Sequence, residues 1–446
     1  MTDAATPSHP AQPGRTSAPR LRVKLLGGDL TAEQWRMLAG IASEFTPDAP
    51  LHLTTRQDVE LHCMSPEQVP LILERLAEVG LTAKQSCGNT VRNVTVCPCS
   101  GVRTGAPDLG PLAWAIRRTL EGIEGDLALP RKFKISLSAC EEACGQPWIN
   151  DLGLVAVQSG SGWVFRVILA GSLGARPATG AIFEEALPAG DVLPLAVAAL
   201  RVFAAHADRK NRLTARFRHV RQRMGDEEFA ATVRQAFNEA KAERHWPAVE
   251  IAGPAVRFDS RALLTFADGD FSPQQAQDLA NLAQMAEIRV RIDNHHRVVL
   301  AAGEESVLRQ ALAELPSLAQ AASPQPSIVA CPGRRWCKNG LVDTQAMADM
   351  VRRELSGELA PGTIVGICGC PSNCTHSAVA PFGLVGGRSA SGEVFTLFTG
   401  GGLGQTPKLA DRVAERLSAQ SVIEEMRRRC ADLPAAPVGG PGGCGP

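Results

Sequence analysis

The chain has 446 residues, of which 44% are apolar, with 46 Lys+Arg against 46 Asp+Glu. That is enough chain for roughly three domains with large cores. The charge balance lacks the basic excess of a nucleic-acid or membrane-surface protein.

Residues 1–20 have no apolar core, so they read as a disordered segment rather than a secretory signal. Without an export signal, the thirteen cysteines are not expected to form a disulfide framework. Metal ligation or redox chemistry is the better explanation, with Cys63, Cys87, Cys430 and Cys444 as buried spares. The apolar run "VLPLAVAALRVFAAHA" is broken by Arg201 and is shorter than the ~20 residues of a bilayer span. It predicts a buried helix in a soluble, cytoplasmic protein.

From Gly27, "GGDLTAEQWRMLAGIASEF" predicts a helix opened by a capping box of Thr31 and Gln34. Strands "LHLTT" and "VELHC" come next. A second helix is expected from "SPEQVPLILERLAEVG", with Ser65 as cap and Pro66 at its first position. The pattern returns from Asp268 in "DGDFSPQQAQDLANLAQMA", where Ser272 and Gln275 form the box. Strands "IRVRI" and "RVVLAA" and the helix "EESVLRQALAELPSL" complete a second α/β unit of about 65 residues, near the lower domain limit.

The stretches downstream of the two units repeat as well. "VTVCPCSGVRTG" (94–105) aligns with "IVACPGRRWCKNG" (328–340), and "SACEEACGQPWINDLGLVAV" (138–157) with "ICGCPSNCTHSAVAPFGLVGG" (367–387). Cys97 matches Cys331, Cys140 matches Cys370 and Cys144 matches Cys374, while Arg103 stands opposite Cys337. Four blocks in one order imply duplication of a two-part module, a pseudo-twofold architecture, and one site at the join. The expected divisions are a half-unit at 21–86, an α/β domain at 87–186, a helical connecting segment at 187–246, a second half-unit at 247–320, a second α/β domain at 321–430, and a Gly/Pro tail at 431–446.

Cys331 and Cys337 are spaced C-x₅-C, Cys370 and Cys374 C-x₃-C, both in Gly/Pro loops. Four thiolates fit zinc or an iron–sulfur cluster; zinc ribbons prefer C-x₂₋₄-C, and longer loops suit the wider [4Fe–4S] cubane. Cys368 competes with Cys370, but the repeat favours Cys370 and Cys374. Cys97, Cys140 and Cys144 read as a relic of duplication, because Arg103 replaces the fourth ligand, unless nearby Cys99 supplies it.

"TTRQD" puts Arg56 at a strand end, and "NTVRNVTV" carries Arg92. "RKFKISLS" sets Lys132 and Lys134 at i and i+2, on one strand face. Lysines in an apolar strand are costly unless they meet anions, although edge strands also carry such charges against aggregation. Together they suggest an anion pocket in one half and a metal cluster in the other.

"HLTTRQ", "NTVRNVTVCP", "PRKFKIS", "ACPGRRWC" and "GCPSNC" resemble, in order, the landmarks of the siroheme-dependent nitrite and sulfite reductase family, from about Leu21 to Arg429. The resemblance implies an internally duplicated α/β (α+β) fold. Two ferredoxin-like half-units would pair into one domain, and two larger α/β domains would grip siroheme. It implies a [4Fe–4S] cluster joined to the siroheme iron through Cys374. Arg56, Arg92, Lys132 and Lys134 would bind the inorganic anion and supply protons, and Arg131 and Gln57 would help hold siroheme carboxylates. The activity implied is six-electron reduction of sulfite to sulfide or nitrite to ammonia. The second C-x₃-C pair and the two arginines of "CPGRRWC" depart from the expected pattern. No built-in ferredoxin module and no nucleotide fingerprint occur, so an external donor such as ferredoxin or a reductase subunit is expected. Nucleic acid and membrane are not expected partners.

Two other readings compete. A precorrin-3B synthase-like oxygenase shares the cluster loops but should not need the paired lysines; a non-enzymatic Fe–S carrier should need neither the size nor the cations. Between the substrates, two arginines and two lysines lean slightly towards the sulfite dianion.

Overall fold

The computed structural model describes residues 19–430 except 161, 254–257 and 391. The tail, Cys444 and most of the first twenty residues lie outside them. The two half-units share one core, in which Trp35, Leu51 and Leu53 meet Phe271, Leu279 and Ile292. Strands Leu21–Val23, Val59–Leu61, Leu51–Leu53 and Asp270–Phe271 form one sheet in that order, and the last strand comes from the second unit. Pairing of Phe271 with Leu51 therefore stitches one unit to the other. Leu21–Val23 and Ser260–Thr265 are strands that precede each predicted repeat.

Both capping boxes form: Gln34 N–H donates to Thr31 Oγ1 at 3.2 Å, and Gln275 N–H to Ser272 Oγ at 3.1 Å. The Ser65 expectation does not hold. The helix begins at Gln68, and the Ser65 N–H donates instead to the Gln68 side chain at 2.7 Å.

Each larger unit is a five-stranded sheet of the same topology. One runs Val91–Val96, Phe133–Ser138, Leu152–Ser159, Gly162–Leu169, Ala181–Pro188; the other runs Ser327–Ala330, Ile364–Cys368, Phe382–Ser389, Gly392–Thr399, Asp411–Leu417. In both, the first three strands are parallel and the rest antiparallel. The cysteine loops leave the C-terminal ends of the first two strands of each sheet.

The segment 187–246 is not a connector. Its helix Val192–His206 is apolar nearly all round and packs against Phe133, Phe217 and Phe229 inside the first large core, as such a helix must. Residues 189–206 are long and apolar enough to cross a bilayer, but 67% of that stretch is buried in protein.

Candidate active site

The cysteine loops arise from the second sheet. Cys331 follows the strand Ser327–Ala330, and Cys370 and Cys374 follow Ile364–Cys368. Gly333 has φ 52°, and a Cβ there would stand 2.1 Å from Thr344 Oγ1. That hydroxyl donates to the Cys331 carbonyl at 2.6 Å, so glycine is required for the loop to close on its own support. The Gly369 N–H donates to Cys331 Sγ at 3.1 Å.

The four predicted ligands are grouped. Cys374 acts electrostatically on Cys331 and Cys370, and Cys337 acts on Cys370. Burial first, and neighbouring thiols second, push Cys331 well above the ordinary thiol value. Thiols that oppose one another's ionisation need a cation to ionise together. Cys368 is buried with its sulfur engaged by Thr375, through the N–H at 3.2 Å and the hydroxyl at 2.8 Å. Burial pushes it up to about 11. Cys63 and Cys87 are exposed and Cys430 half-buried, so the expectation of buried spares fails for all three.

The cations come from the first half. Lys132 and Lys134 leave one face of the strand Phe133–Ser138 and its approach. Neither side chain has a hydrogen bond or ion pair among the described residues, although Cys374 acts electrostatically on both. Burial, the largest cause, lowers Lys132 to about 7; burial and then Arg56 lower Lys134 well below its ordinary value. The Arg56 guanidinium is held by Asn150 Oδ1 at 2.9 Å and by the carbonyls of Ile135, at 3.0 Å, and Asn93. Arg92 donates to the carbonyls of Ser86 at 2.7 Å and Gly88 at 3.0 Å. These arginines lend charge, while the lysines keep their donors.

Residues 187–246 add cations that sequence reasoning missed. Arg216 and Arg218 are buried, and Arg216 pairs with Asp151 at 2.8 Å. Asp151 also accepts the Lys134 N–H at 2.8 Å, tying the lysine strand to Arg216. The density of arginine in "RKNRLTARFRHVRQRM" was the available signal, but it reads equally as a solvated helix. Gln57 corrects an expectation. Its amide donates to Val96 O at 2.7 Å and Ile292 O at 2.8 Å and accepts from Val96 N–H at 2.8 Å. It is a fully committed tie with no donor left for a carboxylate. A cleft of about 1270 Å³ lined by Asp29, Trp114, Arg118 and Met285 shares none of these residues.

Residues 87–241 and 325–428 match the family described as nitrite and sulphite reductase 4Fe-4S domain, and residues 17–79 match the nitrite/sulfite reductase ferredoxin-like half domain. The chain belongs to the nitrite and sulphite reductase family. It is an oxidoreductase whose cofactors are siroheme and a [4Fe–4S] cluster. Similar proteins include a ferredoxin–nitrite reductase of Synechococcus elongatus, 27% identical and aligned over 94% of this chain and 86% of its own. The assimilatory ferredoxin-dependent nitrite reductase of Haloferax mediterranei is 27% identical over 92% of this chain and 78% of its own. The solved structure of the Mycobacterium tuberculosis NirA protein has the same fold, with TM-score 0.78 at 24% identity, covering 93% of this chain and 80% of its own.

The residues present fit the cofactors. The Nε atoms of Arg56, Arg92, Arg131, Arg216 and Arg218 are buried without a hydrogen-bond partner among the described residues. Orphaned buried donors are rare in folded proteins. Burial, the largest cause in each, lowers Arg56 to about 9 and Arg92, Arg131 and Arg218 to about 10. A polycarboxylate macrocycle supplies both the acceptors and the charge that this concentration of guanidinium needs.

Proposed function

We propose that this chain is a ferredoxin-dependent nitrite reductase that takes nitrite to ammonia. The observation that carries the reading is the pair of unpartnered lysines, Lys132 and Lys134, facing the Cys374 loop across the join. Two similar proteins, those of Synechococcus elongatus and Haloferax mediterranei, are ferredoxin-linked nitrite reductases. They favour nitrite over the sulfite to which charge alone leaned.

In this reading Cys331, Cys337, Cys370 and Cys374 hold the cluster, with Cys374 nearest the macrocycle. The bound cofactors supply electrons singly and the metal site at which the anion is reduced. The protein supplies position and charge. Arg56 and Arg92 raise the local positive potential and are held rigid by backbone carbonyls, which spares reorganisation as charge develops. Lys132 and Lys134 bind the anion oxygens and deliver protons from Nζ as N–O bonds break. A lysine lowered towards neutrality gives up a proton more readily than an ordinary one. Arg131, Arg216 and Arg218 hold macrocycle carboxylates.

The paired lysines also argue against the oxygenase and the simple carrier, neither of which needs protons delivered to a small anion. The test is purified holoenzyme assayed with reduced ferredoxin and, separately, reduced methyl viologen, on nitrite and on sulfite. Ammonia formation faster than sulfide formation supports the proposal. Faster sulfide formation, or a siroheme-free spectrum, overturns it.

A further inference from the structure

We infer that the first half carries a second metal centre, a single thiophilic divalent ion such as zinc held by Cys97, Cys140 and Cys144 with Glu142 at the fourth position. The chain folds these three cysteines, distant in sequence, into one thiol cluster. The Sγ atoms of Cys140 and Cys144 stand 3.4 Å apart. The Cys97 side chain is hydrogen-bonded to both. At 3.4 Å the pair is not a disulfide, whose sulfurs lie about 2.05 Å apart.

The support around Cys97 repeats that around Cys331. Ala139 N–H donates to Cys97 Sγ at 3.0 Å, as Gly369 N–H donates to Cys331 Sγ at 3.1 Å. The turns match too, with Ala143 and Asn373 both at φ 56° and Gln146 and His376 both at φ 61°. Three of the four ligand positions of the cluster half are thus rebuilt here, backbone included.

The fourth position differs in kind. Arg103, which aligns with Cys337, forms an ion pair with Glu142. Glu142 is in hydrogen-bond contact with the Cys140 thiol. The arginine therefore does not abolish the fourth ligand but brings a carboxylate to it. Arg103 and Arg261 lie close enough to feel Cys140 and Cys144, and Arg291 feels Cys97. Such cations offset the excess negative charge of three thiolates and a carboxylate on one divalent ion.

Spacing chooses the occupant. With Zn–S bonds of about 2.3 Å, the sulfurs of a tetrahedral site stand roughly 3.8 Å apart, and a cubane separates its thiolates further. No three His, Cys, Asp or Glu side chains among the described residues enclose an ion as they stand. Cys140 and Cys144, 3.4 Å apart, need only part by a few tenths of an ångström. Binding replaces the remaining S–H protons by one divalent ion, so those protons are released and no electron moves. The ion would pin the loop after Val96 to the loop after Ser138, at the opposite end of the strand Phe133–Ser138 from Lys132.

The test is total metal analysis on the holoenzyme and its variants, with acid-labile sulfide and the siroheme spectrum read in parallel. One zinc per chain, absent from the Cys97→Ser/Cys140→Ser/Cys144→Ser variant while cluster iron, sulfide and siroheme stay unchanged, is expected. Should the triple variant fail to fold, Cys140→Ser and Glu142→Gln serve. Each should lose zinc to a chelator faster than wild type. Cobalt(II) exchanged into wild type should show a thiolate charge-transfer band that Cys140→Ser weakens. No zinc above background in wild type, together with no cobalt–thiolate band, overturns the inference. So does a gain of four irons and four sulfides over a single cluster, which would make the trio a cubane site. These readouts do not depend on whether nitrite is the substrate.

Discussion

The Thr55 hydroxyl donates to the Cys374 carbonyl at 2.7 Å. One bond thus joins the strand-end motif that carries Arg56 to the loop that carries Cys374, and so couples the two halves of the chain. Thr55→Val keeps the shape and removes the donor, leaving a carbonyl unpaired. A loss of about 1–3 kcal/mol is expected, read as a lower unfolding midpoint of the holoenzyme with the cluster still present. An unchanged midpoint and unchanged turnover would show that the bond contributes nothing to holding the halves in register.

Lys132→Met and Lys134→Met should each retain siroheme and cluster and lower nitrite turnover by about 10²-fold, the usual range for a lost proton donor. Full turnover in the double variant would remove both lysines from proton delivery.

Lys132 also predicts a pH dependence. Burial lowers it from 10.5 to about 7, so between those values the unfolded chain binds the proton and the folded one does not. Stability of the cofactor-free protein should therefore rise with pH across that window through this group. Lys132→Met should flatten the rise, measured as urea midpoints at pH 7 and pH 9. A wild-type slope equal to the variant's would remove the lysine from the account.

Cys370→Ser should abolish the cluster signal, because incomplete thiolate sets rarely hold a cubane. Cys368→Ser should keep it, since Thr375 already occupies that sulfur. The reverse pattern in iron and sulfide content would exchange their roles.

Arg218→Met, and separately Arg216→Met, should lower siroheme content more than cluster content, because each removes a buried guanidinium whose Nε has no acceptor among the described residues and to which the proposed function gives a macrocycle carboxylate. Arg216→Met should be the more damaging, since it takes the cation from buried Asp151 and leaves that carboxylate only the Lys134 N–H among the described residues; breaking one side of a buried pair typically costs about 3–5 kcal/mol. Equal loss of both cofactors in Arg218→Met would point to general unfolding instead.

Much of the architecture was legible along the chain because duplication writes the same local signals twice. Thr31 with Gln34 and Ser272 with Gln275 are local in sequence, and local hydrogen bonds made both boxes recognisable. The grouping of Cys331, Cys337, Cys370 and Cys374 was legible for a similar reason: spacing within a loop limits where thiols can go. The helix Val192–His206 was recognised as buried, but its place in the first large core was not. An apolar run states that it will be covered without stating by what.

The chain's residues and their order were enough for the duplication, the grouping of the four cysteines and the lysine pair, since each depends on neighbours within one loop or strand. Three other assignments depended on contacts between segments far apart. Gln57 proved to be a tie because Val96 and Ile292 arrive at its amide from other elements. Arg216 proved to be buried because Asp151 waits for it across 65 positions. Arg103 reads as the loss of a ligand until the fold sets Glu142 beside it. A side chain's type fixes which partners it can accept, but long-range packing decides which partners reach it and how much water remains, and those two conditions set its charge and its role.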